Sequence, residues 1–222
     1  MRHGPRYGAD TVCAAMQLRV VADRWCTGFL AGPLSYQAMA ATGDYVYVFG
    51  GCKPVGRSND LFCYHVKDQV WSALSVGAVA NSPSERGGPA LVALPDAVHV
   101  LFGYNGKVEA DDHFVFDLVT KVWRQVQTPI VPPARSVTDA VYVSRIGRLG
   151  SIFVFGGEFT PSQQGHEGAG EYHGDAWLFD IDTERWTQIS TPSYVGDRGI
   201  ASVSVATIDQ SNFACWWGTG GK

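Results

Sequence analysis

Apolar residues fall in short runs that recur along the chain. Tyr45-Val-Tyr-Val-Phe-Gly-Gly51 is apolar at successive positions and closes on a glycine pair. Val98-His-Val-Leu-Phe-Gly-Tyr104 reads as a second copy, with Tyr104 in place of the second glycine, and Ile152-Phe-Val-Phe-Gly-Gly157 as a third. A loop follows each run, and then a second apolar run that ends on tryptophan: Leu61 to Trp71, His113 to Trp123 and Ala176 to Trp186. Runs this short, rich in β-branched and aromatic side chains and bounded by turn residues, predict β-strands. Apolar side chains at successive positions predict strands covered on both faces. Asp117-Leu-Val-Thr-Lys121 and Asp180-Ile-Asp-Thr-Glu184 read as hairpin turns, because Asp and Thr side chains bond nearby backbone groups.

The spacing is regular: 31 residues separate Trp71 from Phe102, 32 separate Trp123 from Phe155, and 31 separate Trp186 from Trp217. Repetition at such a period implies one structural unit stacked several times. The unit predicted is a blade of a β-propeller. Its glycines permit a backbone turn that a side chain would obstruct, and Trp71, Trp123 and Trp186 are expected to pack between neighbouring blades. The blades are expected near 35–73, 86–126 and 135–189, with an incomplete one over 198–222. Residues 1–34 form an unassigned N-terminal segment or a divergent first blade, since Trp25 falls out of register. The expected fold is thus all-β, a propeller of about three and a half to four blades. A propeller is stabilised by ring closure, so the expectation is a fragment, or a chain that closes by pairing with another copy.

Composition narrows the function classes. Of 222 residues 45% are hydrophobic, enough for a packed core, and 26 glycines accompany seven tryptophans, as tight turns around large aromatic anchors would require. Seventeen basic and 21 acidic residues give a net charge of −4. No basic excess draws the chain to nucleic acid or to an anionic membrane surface, and no apolar run approaches the ~20 residues of a membrane helix. Five scattered cysteines without a CxxC pair, behind an N-terminus lacking a secretory apolar core, point to reduced thiols in a cytoplasmic protein. His65 and His99 lie within strand patterns and are expected to be packed, and Asp111-Asp112-His113 reads as a turn with its first strand residue, although such a cluster also offers metal ligands. Without GxSxG, HExxH or a phosphate-binding glycine loop ahead of a helix, the usual hydrolase, zincin and nucleotide-binding readings have little support.

The glycine pairs and the spaced aromatic residues resemble the kelch repeat across about residues 35–222. The loops resemble a narrower group. In order, Arg86-Gly-Gly-Pro-Ala-Leu91, Phe102-Gly-Tyr-Asn-Gly106, Pro132-Pro-Ala-Arg-Ser-Val137, the long loop from Gly156 to Gly170, and Asp197-Arg198-Gly199 look like the plant specifier proteins, kelch proteins that form nitriles, epithionitriles or thiocyanates. That resemblance implies action on the unstable sulfated aglucone of a glucosinolate with iron(II), yielding a nitrile. It implies an E-x3-D-x3-H metal motif whose Glu is Glu158 and whose His is His166, with Ser162 at the Asp position. A neutral hydroxyl is a weaker iron(II) ligand than a carboxylate, and Glu167, Glu171 or His173 of the same loop are the available replacements. The resemblance also implies that Arg86, Arg135 and Arg198 face a central channel and grip the substrate's sulfate, with Leu34 at the corresponding place in the first blade. A planar guanidinium suits that anion. The other role open to such arginines is to tie blades together through backbone carbonyls. The alternative function is a non-catalytic kelch interaction module that binds a protein partner, and metal discriminates the two. The expected partners are therefore a small anionic sulfated substrate or a protein, with a second copy of the chain also possible.

Overall fold

The computed structural model describes residues 33–144, 146–161, 169–190, 203–207 and 213–217. Every strand in them belongs to an antiparallel sheet. The first sheet is a meander of β1 (Ala38–Thr42), β2 (Tyr45–Phe49), β3 (Leu61–His65) and β4 (Val70–Ser75). The second repeats it with β5 (Ala90–Ala93), β6 (Ala97–Leu101), β7 (His113–Asp117) and β8 (Trp123–Gln125). In the third, β9 (Asp139–Val143) and β10 (Ser151–Phe155) are followed by a small hairpin, β11 (Glu158–Pro161) and β12 (Ala169–Tyr172). The sheet then closes with β13 (Ala176–Asp180) and β14 (Arg185–Ile189). A two-stranded sheet of β15 (Val203–Thr207) and β16 (Phe213–Trp217) begins the next repeat. The first strands β1, β5, β9 and β15 pack side by side in that order, as the inner strands of propeller blades do. Among the described residues no helix is long and apolar enough to cross a membrane.

The core lies between blades. Phe49 and Leu61 of the first blade pack with Val98, Val100, Phe116 and Trp123 of the second. Leu101 and Phe102 of the second pack with Ile152, Val154, Phe179 and Trp186 of the third. Trp123 reaches back to the first blade: its ring lies 5.8 Å from that of Phe49, and its Nε1–H donates to Ser75 Oγ at 2.9 Å. Trp186 sits 6.1 Å from Phe102 and 5.9 Å from His113 in the same way. A large ring at this position covers the preceding blade and satisfies its polar atom there. Trp71 is half-buried, 5.0 Å from Tyr64 of its own blade.

One register differs from the sequence reading. Leu101 ends β6 as Phe49 ends β2 and Phe155 ends β10. Phe102 therefore takes the place of the first glycine: its φ is 61°, beside 68° for Gly50 and 67° for Gly156. Gly103, with φ 106°, is the second glycine, and Tyr104 lies one residue beyond. A left-handed residue with a side chain costs about 1–2 kcal/mol. Complete burial of the Phe102 ring offsets that, because burying a Phe contributes roughly 1.5–3 kcal/mol. The second glycine has no such substitute. A Cβ at Gly51 or Gly157 would lie 3.0 Å from a carbonyl oxygen of the inner-strand lead-in, that of Ser35 or Ser136.

Candidate functional site

The loops that follow the glycine pairs share one face of the blades with the lead-ins to the inner strands. Isolated bridges extend each blade there: Ser35 with Cys52 and Cys52 with Arg57, Gly87 with Tyr104 and Tyr104 with Glu109, and Ser136 with Glu158. Glu158 also pairs with Tyr172 across β11 and β12. Cys52, Tyr104 and Glu158 thus occupy equivalent places in successive blades, as do Arg57, Glu109 and Tyr172.

Arg86 and Arg135 stand at the blade starts, and both are buried, 1% and 0% exposed. Their backbones seal the seam to the preceding blade. Gly51 N–H donates to the Arg86 carbonyl at 2.8 Å, and Gly103 N–H to the Arg135 carbonyl at 2.9 Å. Their side chains turn into their own blades. Arg86 Nε donates to Ser84 O (3.0 Å), Nη1 to Phe102 O (2.9 Å) and Asp112 Oδ1, and Nη2 to Asp112 Oδ2 (3.0 Å) and Ser84 Oγ (2.9 Å). All five guanidinium N–H groups have partners. Arg135 repeats the pattern: Nε to Pro133 O (3.0 Å), Nη1 to Gly156 O (2.9 Å) and Asp175 Oδ1 (2.8 Å), and Nη2 to Asp175 Oδ2 (3.0 Å). Burial raises the Asp175 carboxyl, but the bonds and charge of Arg135, with a bond from Trp177, hold it below the usual carboxylate range. Asp60, Asp112 and Asp175 each immediately precede a third strand. Where Leu34 replaces the arginine, Asp60 accepts instead from Ser58 Oγ (2.6 Å), Gly77 N–H (2.8 Å) and Lys53 Nζ (3.3 Å). Arg198 lies outside the described residues.

Of the expected metal motif, Glu158 is described, while Ser162 and His166 lie outside the described residues, as does Glu167. The half-buried Glu158 carboxyl is pushed up by burial and by the charge of Glu109. Glu171 is exposed. His173 stacks on Phe159 at 4.3 Å and donates from Nε2 to Ala134 O at 3.0 Å. Among the described residues no group of three or more His, Cys, Asp or Glu is gathered as a ligand set. In the Asp111-Asp112-His113 cluster, Asp112 is the partner of Arg86 and His113 opens β7.

A feature not read from the sequence lies between the second and third blades. His99 Nδ1 and His113 Nε2 are 2.8 Å apart, both rings are buried, and His113 Nδ1 has no partner. The arrangement that puts no proton on the sealed His113 Nδ1 has His113 Nε2–H donating to His99 Nδ1. Burial, then the charge of Arg124, pushes His99 down to about 3, and His113 is driven well down by burial and its neighbours. Both are neutral. His99 forms part of the lining of a cavity of about 310 Å³ beneath the Arg124–Glu184 ion pair that links the two blades. Histidines 14 residues apart carry no sequence signal of this contact; only the strand register brings them together.

Residues 15–157 match the KLHDC2/KLHL20/DRC7 Kelch-repeats domain. Over 170 residues the chain is 28% identical to the dynein alpha chain, flagellar outer arm, of Chlamydomonas reinhardtii, which covers 71% of this chain and 3% of the dynein chain. It is 29% identical over 136 residues to N-(sulfonatooxy)prop-2-enimidothioate sulfolyase of Thlaspi arvense, 59% of this chain and 37% of that protein. It is also 29% identical over 128 residues to Kelch domain-containing protein 1 of Mus musculus, 56% of this chain and 30% of that one. The chain spans at most 37% of the length of these relatives.

Proposed function

The chain belongs to the kelch-repeat family, and on that premise we propose that it is a non-catalytic interaction module whose loop face holds a protein partner. The observation that carries this reading is the use of Arg86. Its five N–H groups are bonded within its own blade, so it has none to offer a sulfate. Turning it outward would leave Asp112 uncompensated, and breaking a buried pair costs about 3–5 kcal/mol. Arg135 is held in the same way. The diversity of the relatives also supports a common scaffold rather than a common chemistry. Free thiols at Cys52 and Cys63 support a cytoplasmic location, and the net charge of −4 argues against nucleic acid and anionic membranes as partners. The test supplies the chain with a sulfated aglucone and iron(II). No nitrile above the protein-free control is expected. Nitrile formation that disappears in Glu158→Ala would overturn the proposal.

The sulfolyase relative favours a second reading, a nitrile-forming specifier protein with iron(II) at Glu158 and His166 and with Ser162 at the third position. Among the described residues Glu158 has the carboxylate of Glu109 close enough to raise it, no group of three ligand-type side chains is gathered, and His173 is engaged with Ala134 and Phe159. About one iron per chain after anaerobic loading, lost in both Glu158→Ala and His166→Ala, is the result this second reading requires.

A further inference from the structure

One guanidinium on the loop face lacks a counter-charge. Among the described residues Arg86, Arg124, Arg135 and Arg148 each pair with a carboxylate, that of Asp112, Glu184, Asp175 and Asp182 respectively. Arg57 and Arg185 have no such partner among them, and of the two Arg57 belongs to a loop that follows a glycine pair. It leaves the loop between β2 and β3 and reaches across to the second blade, where its guanidinium carbon lies 4.8 Å from the centre of the Tyr104 ring. Gly106 lies beside it: a Cβ there would be 2.6 Å from Arg57 Nη1, so a side chain would displace the guanidinium. Arg57 Nε is sealed from solvent without an acceptor.

This is an ordered cation with unused donors. An arginine normally loses rotamer freedom when it is fixed. Here the ring of Tyr104 and the backbone of Gly106 already hold it, which lowers the cost of engaging an anion. The charge around it is uneven. Glu109 takes the place of Arg57 in the second blade, and Glu158 follows on the third. A dianion such as a phosphate suits a cluster of arginines and would be repelled by these two carboxylates. A single carboxylate over the first blade meets about half that repulsion.

We propose that the cradle of Arg57, Tyr104 and Gly106 receives an Asp or Glu side chain of the protein partner, docked with that acid over the first blade and with no acid over the second and third. The proposal rests on the interaction-module reading. Its test is selection of a random dodecapeptide phage library against the full chain, followed by affinity measurement of the enriched peptides. Asp or Glu is expected at one fixed position, with binding about 10- to 100-fold weaker to Arg57→Gln and partly restored in Arg57→Lys. The Arg57→Gln protein is expected to melt within a few degrees of the parent, because the guanidinium makes no ion pair among the described residues and only its stacking on Tyr104 is lost. Enriched peptides without a fixed acid, or with equal affinity for Arg57→Gln, overturn the cradle and leave the interaction module standing. A selection that enriches no peptide overturns both.

Discussion

Acidification is expected to loosen the seam between the second and third blades before it reaches the aspartates held low in the fold. His99 and His113 are neutral in the folded chain, with His99 held down at about 3. In the unfolded chain each titrates near ~6.5. Below that pH the unfolded state binds the extra protons, so stability falls as pH falls. Each unit of difference is worth about 1.4 kcal/mol. At a pH near 4.5, about two units below the unfolded value, His99 alone removes about 3 kcal/mol, and the loss runs on until its folded value is reached. His113 acts in the same direction. A domain is typically stable by only about 5–15 kcal/mol, so this is a large fraction. Asp60 and Asp175, whose carboxyls are held low in the fold, contribute their own loss only as pH falls below about 4. In the window between pH 6.5 and 4.5 the buried pair acts together with the half-buried His173, held low by burial and by the charge of Arg135, and against Glu158, whose raised carboxyl binds its proton earlier in the fold than in the unfolded chain. Urea unfolding followed by tryptophan fluorescence reads the loss directly, since Trp186 packs on His113. The double variant His99→Phe, His113→Phe removes both titrations at similar volume, and its stability should fall much less than the parent's across that window. Equal losses in parent and double variant would refute the reasoning.

Arg135→Met should destabilise the chain by about 3–5 kcal/mol in urea unfolding at neutral pH, because it strands Asp175, and the further change Asp175→Leu should recover part of that loss. Phe102→Gly should relieve a left-handed aromatic residue yet lose its burial. A net loss of about 2–3 kcal/mol is expected, smaller than that of Phe116→Gly, where no strain is relieved and glycine enters a strand.

The strands were legible because their apolar runs recur at a near-constant period, and the blade tryptophans because a large ring at a fixed place has few other uses. The misplaced glycine in the second repeat has a physical reason. The repeat requires a left-handed residue after β6, and phenylalanine is a type that rarely accepts that conformation, so Phe102 gave no sign of standing there. The role of Arg86 and Arg135 was half legible. Their recurrence was visible, and so was an aspartate just before each of Leu61, His113 and Ala176. Read together, the two recurrences point to ion pairs within blades, and the Leu34 replacement explains why Asp60 turns to Lys53 instead. The Arg57 cradle was not legible, since it depends on Tyr104 and Gly106 arriving from the neighbouring blade.

The central claim is that the guanidinium groups of the blade-start arginines are spent within their own blades and are not available to an anion. The most direct measurement is the nitrogen-15 spectrum of the arginine side chains of the full chain, recorded before and after addition of sulfate. The account predicts slowly rotating, solvent-protected guanidinium groups for Arg86 and Arg135 whose resonances stay in place as sulfate is added. Freely exchanging Arg86 and Arg135 signals that shift with sulfate would contradict it.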